Sequence, residues 1–181
     1  RDRRTLMVTG THGKTTTSDL LAWAAQCAGQ DPAFLIGGIL KDFDSNFRSG
    51  RGDIFVVEGD EYDTAYFDKG PKFVHYRPRT LVINNLEFDH ADIFDDLAMI
   101  QRQFHHLVRT VPGEGLIIEN ANDGNVADVL DMGCWTPTET VSVGEFPAQW
   151  QARKLKADAS HFEVYSHSEK LGEVNWLQVG D

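Results

Sequence analysis

Short apolar runs alternate with amphipathic ones along most of this chain. Leu6-Met7-Val8 lies in a strand-like stretch over 5–9, and Leu20-Leu21-Ala22-Trp23-Ala24-Ala25 marks a helix over 15–28. Trp23 reads as core, and Cys27 as a continuation of the apolar helix face. Phe34-Leu35-Ile36 is a brief apolar segment, followed by a Gly/Asp/Ser loop through residue 52. Ile54-Phe55-Val56-Val57 is unbroken and ends in Glu58, the pattern of a parallel strand buried on both faces, and 80–84 is a second such run. Leu97, Ile100, Phe104, Leu107 and Val108 recur at helical spacing over 95–109, with Asp95 and Asp96 where the helix dipole favours carboxylates. A strand over 115–118 ends at Asn120, a short helix over 126–132 is closed by Gly133, and 140–143 is a further strand. Such alternation predicts an α/β fold with a mostly parallel sheet flanked by helices. Beyond Phe146 the texture changes: 150–158, 161–166 and 174–179 read as strands joined by polar turns, a small antiparallel β extension in which Trp176 packs.

The turn between the first strand and the first helix carries the strongest chemical signal, Thr9-Gly10-Thr11-His12-Gly13-Lys14-Thr15-Thr16-Thr17. Strand, glycine loop and helix in that order cradle phosphates: backbone N–H groups and the helix N-terminus face the anion, and a lysine adds a full charge. The fold is therefore of the P-loop type, with Gly10, Thr11, His12, Gly13, Lys14, Thr15 and Thr16 as phosphate-side candidates and the Thr15 hydroxyl placed for Mg²⁺. The common pattern G-x-x-x-x-G-K-[ST] is shortened here to G-x-x-G-K-T, because Val8 stands where its first glycine belongs.

Ligands of open α/β sheets bind beyond the carboxyl ends of the strands. Gly10, Glu58, Asn85 and Asn120 all fall at such ends, and His90 follows soon after the 80–84 strand. Glu58 opens Glu58-Gly59-Asp60-Glu61-Tyr62-Asp63 and would face the phosphate loop as a metal-side carboxylate, with Asp60 or Glu61 as further candidates. The imidazole of His90 can ligate a divalent metal or orient a substrate group. Asn120 can read a purine edge or close an Asx turn, and spacing leaves both open. His105 and His106 read as surface or rim residues.

Composition narrows the partners. The chain has 181 residues, 41% hydrophobic and 25% charged, enough for one full core. A net charge of −11 with no Lys/Arg run longer than Arg3-Arg4 argues against nucleic acid. Cys27 and Cys134, unpatterned, suit a reducing cytoplasm, and no apolar run approaches the ~18–20 residues that span a bilayer. Neither N-K-x-D nor D-x-x-G occurs, which disfavours a GTPase. The chain begins Arg1-Asp2-Arg3-Arg4 without methionine and reads as a piece of something longer.

The loop, then Glu58-Gly-Asp-Glu-Tyr-Asp, then Asn85-Leu-Glu-Phe-Asp-His90, then Asn120-Ala-Asn-Asp, together resemble the central ATP-binding domain of the Mur ligases across the whole chain, 1–181. The stretches over 60–69, 72–79 and 104–112 resemble the branch that joins the murein tripeptide L-Ala-γ-D-Glu-meso-diaminopimelate to UDP-N-acetylmuramate in peptidoglycan recycling. The resemblance implies ATP and Mg²⁺ as cofactors. Lys14 would contact the phosphates, Thr15 and Glu58 would hold one Mg²⁺, His90 would serve a second metal site, and Asn120 would approach adenine. Asn85, Glu61 and Thr64 would lie toward the muramyl substrate. The family's flanking UDP-binding and carboxy-terminal domains are absent from this chain, so the isolated piece is expected to bind nucleotide without ligating. Several relatives use a carbamylated lysine downstream of the histidine; no lysine occurs between Lys72 and Lys154, and His105 or a water could stand in for it. A UDP-N-acetylmuramate–L-alanine ligase is the alternative within the family.

Overall fold

The computed structural model describes residues 3–60, 63–65, 68–88 and 96–177. In chain order the elements are β1 (Arg4–Thr9), α1 (Lys14–Cys27), β2 (Ala33–Leu40), β3 (Ser45–Arg48), β4 (Ile54–Glu58), β5 (Asp63–Ala65), β6 (Asp68–Pro71), a 3₁₀ helix (Lys72–Tyr76), β7 (Thr80–Ile83), α2 (Leu97–Val108), β8 (Leu116–Asn120), α3 (Gly124–Asp131), β9 (Thr138–Val143), β10 (Trp150–Lys154), β11 (His161–Ser166) and β12 (Glu169–Asn175). Ten strands form one sheet, in the order β12-β11-β10-β9-β8-β7-β1-β4-β2-β3, and β5 and β6 pair apart as a hairpin. From β2 to β10 every neighbouring pair is parallel. The edge pairs β2–β3, β10–β11 and β11–β12 are antiparallel. The predicted α/β sheet, mostly parallel and flanked by helices, is therefore what forms.

The continuous apolar runs become the strands buried on both faces. Val56 joins the cluster with Ala22, Phe34, Ile36 and Leu40 under α1. Val57, its neighbour, joins the cluster with Met7, Leu81, Ile83, Ile100 and Phe104 under α2 and α3. Successive strand residues point to opposite faces, so the two clusters lie on opposite sides of the sheet. Phe73 of the 3₁₀ helix meets Phe104 edge-on, with ring centroids 5.3 Å apart. Asp96 caps α2 by accepting from the Met99 amide at 2.7 Å, and Asp123 caps α3 through the amides of Asn125 and Val126.

Three expectations need correction. The 34–52 stretch is a hairpin: β2 runs on through Gly37-Gly38 and returns antiparallel as β3, pairing Phe34 with Arg48. The small antiparallel extension does form, and it joins the main sheet: β10 continues the parallel ladder from β9, and β11 and β12 turn back antiparallel. The last strand begins at Glu169, five residues earlier than 174–179: His167 and Ser168, both with positive φ, make a tight two-residue turn that fixes where it starts. Trp23 is 47% exposed and Cys27 is exposed. Helix α1 buries only the narrow stripe Ser18, Ala22 and Ala25, whose small side chains bring it close to the sheet, and Trp23 and Cys27 lie off that stripe. Trp176 does pack, edge-on to Phe162 at 5.2 Å with its Nε1–H donated to the Ala159 carbonyl.

Phe104 is 1% exposed at the centre of the larger cluster. Phe104→Ala is expected to lower unfolding free energy by about 3–5 kcal/mol, read from the shift in the denaturant midpoint. A loss under about 1 kcal/mol would place the core elsewhere.

Candidate phosphate-loop site

The parallel strands bring Thr9, Glu58, Ile83, Asn120 and Val143 to one edge of the sheet. The loop from β1 to α1 is nailed to the end of β7. Asn84 N–H donates to the Thr9 carbonyl and Thr11 N–H to the Asn85 carbonyl, both at 3.0 Å. Gly10 makes this approach possible: its φ is +131°, and a Cβ there would lie 2.8 Å from the Asn85 carbonyl oxygen. Gly13, at φ 76°, caps α1 in the left-handed region. The buried Thr9 hydroxyl donates to the Gly59 carbonyl at 2.9 Å, which ties the end of β4 to the same edge.

Within the loop, Lys14 Nζ donates to the carbonyls of Gly10 at 2.8 Å and Thr11 at 3.4 Å, so the ammonium lies over the loop's own backbone. The first turn of α1 supplies amides that lack intrahelical acceptors, which with the dipole makes an anion site. His12 N–H donates to Asn85 Oδ1 at 2.7 Å, while Asn85 Nδ2 reaches the His12 carbonyl at 3.4 Å. His12 Nε2 lies 3.7 Å from Glu87, an exposed and screened pair.

Thr15 and Glu58 meet as expected. The Thr15 hydroxyl lies 3.1 Å from both Glu58 carboxylate oxygens, and the Gly37 N–H donates to Oε2 at 2.8 Å. A hydroxyl and a carboxylate are hard oxygen donors of the kind Mg²⁺ takes, and Mg²⁺ commonly keeps waters and phosphate oxygens for its other positions. Among the described residues no group of three or more His, Cys, Asp or Glu gathers. Glu61 and His90 lie outside the described residues, and Thr64 falls within β5. Asp60 has one buried oxygen with no hydrogen-bond partner among the described residues. Burial, and then the charge of Asp60, push the nearby Tyr76 hydroxyl pKa up.

Asn120 closes an Asx turn. Its Oδ1 accepts from the Asn122 amide at 3.0 Å, an Asx turn, and its Nδ2 donates to the Asn84 carbonyl at 2.7 Å. It also lines a cavity of ≈ 570 Å³ with Thr16, Thr17, Leu20 and Asn85. The far wall comes from Val143, Trp150, Val164 and Trp176. A cleft of this size, apolar on one side and polar on the other, suits a ligand of nucleotide size. His105 is not part of it. Its Nε2 lies 3.1 Å from the Gly133 carbonyl in the last turn of α2, which runs back to the amino-terminal edge of the strands, so it stands in for nothing at the loop.

Sequence patterning left several supports unmarked. Asn84 Nδ2 bridges Thr17 Oγ1 at 3.1 Å and the His12 carbonyl at 3.4 Å. Asp123 accepts from the Leu86 amide and Asn125 donates to the Leu86 carbonyl, which anchors the segment after β7 to the start of α3. The doubled Asn84-Asn85 and the Gly37-Gly38 pair inside a strand were the available signals.

The chain matches the family described as the Mur ligase middle domain over residues 8–181. It is 56% identical over 181 residues to the UDP-N-acetylmuramate–L-alanyl-gamma-D-glutamyl-meso-2,6-diaminoheptandioate ligase of Escherichia coli (strain K12), covering 100% of this chain and 39% of that protein. A UDP-N-acetylmuramate–L-alanine ligase from Clostridium perfringens (strain 13 / Type A) is 34% identical over 168 residues, covering 91% of this chain and 34% of the relative. The crystal structure of UDP-N-acetylmuramate:L-alanyl-gamma-D-glutamyl-meso-diaminopimelate ligase from Neisseria meningitides is similar at a TM-score of 0.89 and 50% identity, covering 99% of this chain and 57% of that one.

Asn84→Ala removes the bridge between β7 and α1. The expected loss is about 1–2 kcal/mol of stability, measured by urea denaturation. An unchanged midpoint would show that Asn84 does not brace the loop.

Proposed function

This chain belongs to the Mur ligase family, and from that premise we propose that it is the central, ATP-binding domain of a ligase joining L-Ala-γ-D-Glu-meso-diaminopimelate to UDP-N-acetylmuramate. The observation that carries the ATP site is the contact of the Thr15 hydroxyl with Glu58 beside the Gly10–Thr16 loop. Identity of 56% along the whole chain, against 34% to the L-alanine ligase, supports the tripeptide branch. Because the chain spans 39% of the first of those relatives, the flanking UDP-binding and carboxy-terminal domains belong to this proposal, as does a cytoplasmic setting. No helix among the described residues is long and apolar enough to cross a membrane.

The chemical task is to bring anions together. The muramyl carboxylate attacks the γ-phosphorus of ATP, giving an acyl phosphate and ADP. The amine of the tripeptide's alanine then attacks the acyl carbon, the amide forms, and phosphate leaves. Lys14 exchanges its contacts with the Gly10 and Thr11 carbonyls for phosphoryl oxygens and screens their charge. The amides of Gly13 to Thr16 hold the phosphates at the start of α1. Thr15 and Glu58 would hold Mg²⁺, which when bound neutralises developing charge on the phosphoryl oxygens. His90 is proposed for a second metal site and Asn120 for the adenine, over a cavity wall that includes Trp150 and Trp176. Asn85, Glu61 and Thr64 are proposed toward the muramyl substrate. Asn85, hydrogen-bonded to His12 in this structure, then links that substrate to the phosphate loop.

The full-length protein tests this by phosphate release with UDP-N-acetylmuramate and ATP. The tripeptide is expected to be the better acceptor, and Lys14→Ala is expected to reduce kcat by about 10²–10³ with the fold intact. The 181-residue piece alone is expected to bind ATP·Mg²⁺ and form no amide. Preference for free L-alanine would move the chain to the other branch, and near-normal turnover in Lys14→Ala would refute the phosphate role.

A further inference from the structure

Two glycines of β2 have no conformational reason to be glycine. Neither Gly37 nor Gly38 has a φ in the left-handed region, unlike Gly10 and Gly13. The space around them gives a different reason. A Cβ on Gly37 would lie 3.2 Å from Glu58 Oε2 and 3.3 Å from Oε1, and a Cβ on Gly38 would lie 3.1 Å from Thr15 Cγ2. Contacts that short force the neighbour to give way by a few tenths of an ångström. The neighbours are the two residues read as the metal side of the site.

The backbone at this point is also turned to that pair. The parallel ladder between β2 and β4 is registered from Ala33↔Phe55 to Leu35↔Val57. Past it, the Gly37 N–H points at a side chain, donating to Glu58 Oε2 at 2.8 Å. A strand amide that would ordinarily serve the sheet thus orients a carboxylate, and two missing methyl groups leave that carboxylate room beside the Thr15 hydroxyl.

We propose that Gly37 and Gly38 are positioning residues for the metal-side pair. The Gly37 amide fixes the Glu58 carboxylate, and the absence of Cβ atoms at both positions lets Thr15 and Glu58 approach closely enough to hold one divalent cation between them. This rests on the reading of Thr15 and Glu58 as metal ligands. Partners that orient a ligating carboxylate commonly govern metal affinity although they never touch the metal.

The test is ADP affinity of the full-length protein by calorimetry, with Mg²⁺ and with EDTA. The ratio of the two is the gain due to metal. Gly37→Ala keeps the backbone donor and adds only the methyl group. It is expected to cut the metal-dependent gain about ten-fold while affinity in EDTA and the melting temperature stay unchanged. Gly38→Ala is expected to do the same, and adding Thr15→Ser, which removes the methyl in the way and keeps the hydroxyl, is expected to restore the gain. If both alanine variants retain the full gain while Glu58→Gln abolishes it, the positioning role is wrong and the metal reading stands. If Glu58→Gln retains the gain, the metal reading fails and this inference with it. An equal loss in EDTA and in Mg²⁺ would make the glycines merely structural.

Discussion

The contact between the β1–α1 loop and the end of β7 governs the rest of the site. Gly10 passes so close to the Asn85 peptide that no side chain fits between them, and the Thr11 amide is held by the Asn85 carbonyl. That approach fixes where Gly13 starts α1, and so where its first-turn amides and Lys14 point. The same edge carries Thr9, whose buried hydroxyl holds the Gly59 carbonyl and sets Glu58 beside Thr15. One close backbone approach thus places a cationic side chain, a helix N-terminus and a carboxylate around a single volume.

Three of the groups proposed for the nucleotide and metal are already engaged within the protein, while the first-turn amides of α1 lack intrahelical acceptors. Lys14 lies on loop carbonyls, His12 N–H on Asn85, and Glu58 on Thr15 and Gly37. In the proposed role, Lys14 would exchange neutral carbonyl acceptors for charged phosphate oxygens, and the first-turn amides would gain acceptors they lack. In a chain of net charge −11, the proposed anion site would depend on this local concentration of amides and one ammonium. The other side of the cleft is lined by apolar side chains, among them Trp150, Val164 and Trp176.

Most of the parallel sheet was legible because unbroken apolar runs such as Ile54-Phe55-Val56-Val57 admit few alternatives, and because strand ends in such sheets are where ligands bind. The β2–β3 hairpin was hidden by Gly37-Gly38, which break the apolar pattern for a reason that lies across the sheet at Glu58. The end of the chain slipped because register is set by the positive-φ pair His167-Ser168, neither a usual turn residue for that conformation. Trp23 misled because a helix packed through serine and alanine buries a stripe too narrow to include it. Glu58 was expected to face the phosphate loop because it ends a buried strand, and its contact with the Thr15 hydroxyl agrees with that placement. Asn84 was not expected, because its role is to donate to Thr17 and His12, positions that only the folded loop brings within reach.

The loop and the end of β4 are proposed to form one site for nucleotide and metal. A crystal structure of the full-length protein grown with ADP and Mg²⁺ tests it most directly. The diphosphate is expected within the Gly10–Thr16 loop, with Lys14 moved from the loop carbonyls onto it and a metal ion ligated by Thr15 Oγ1 and Glu58. Nucleotide bound away from this loop, or a metal held without Glu58, would contradict it.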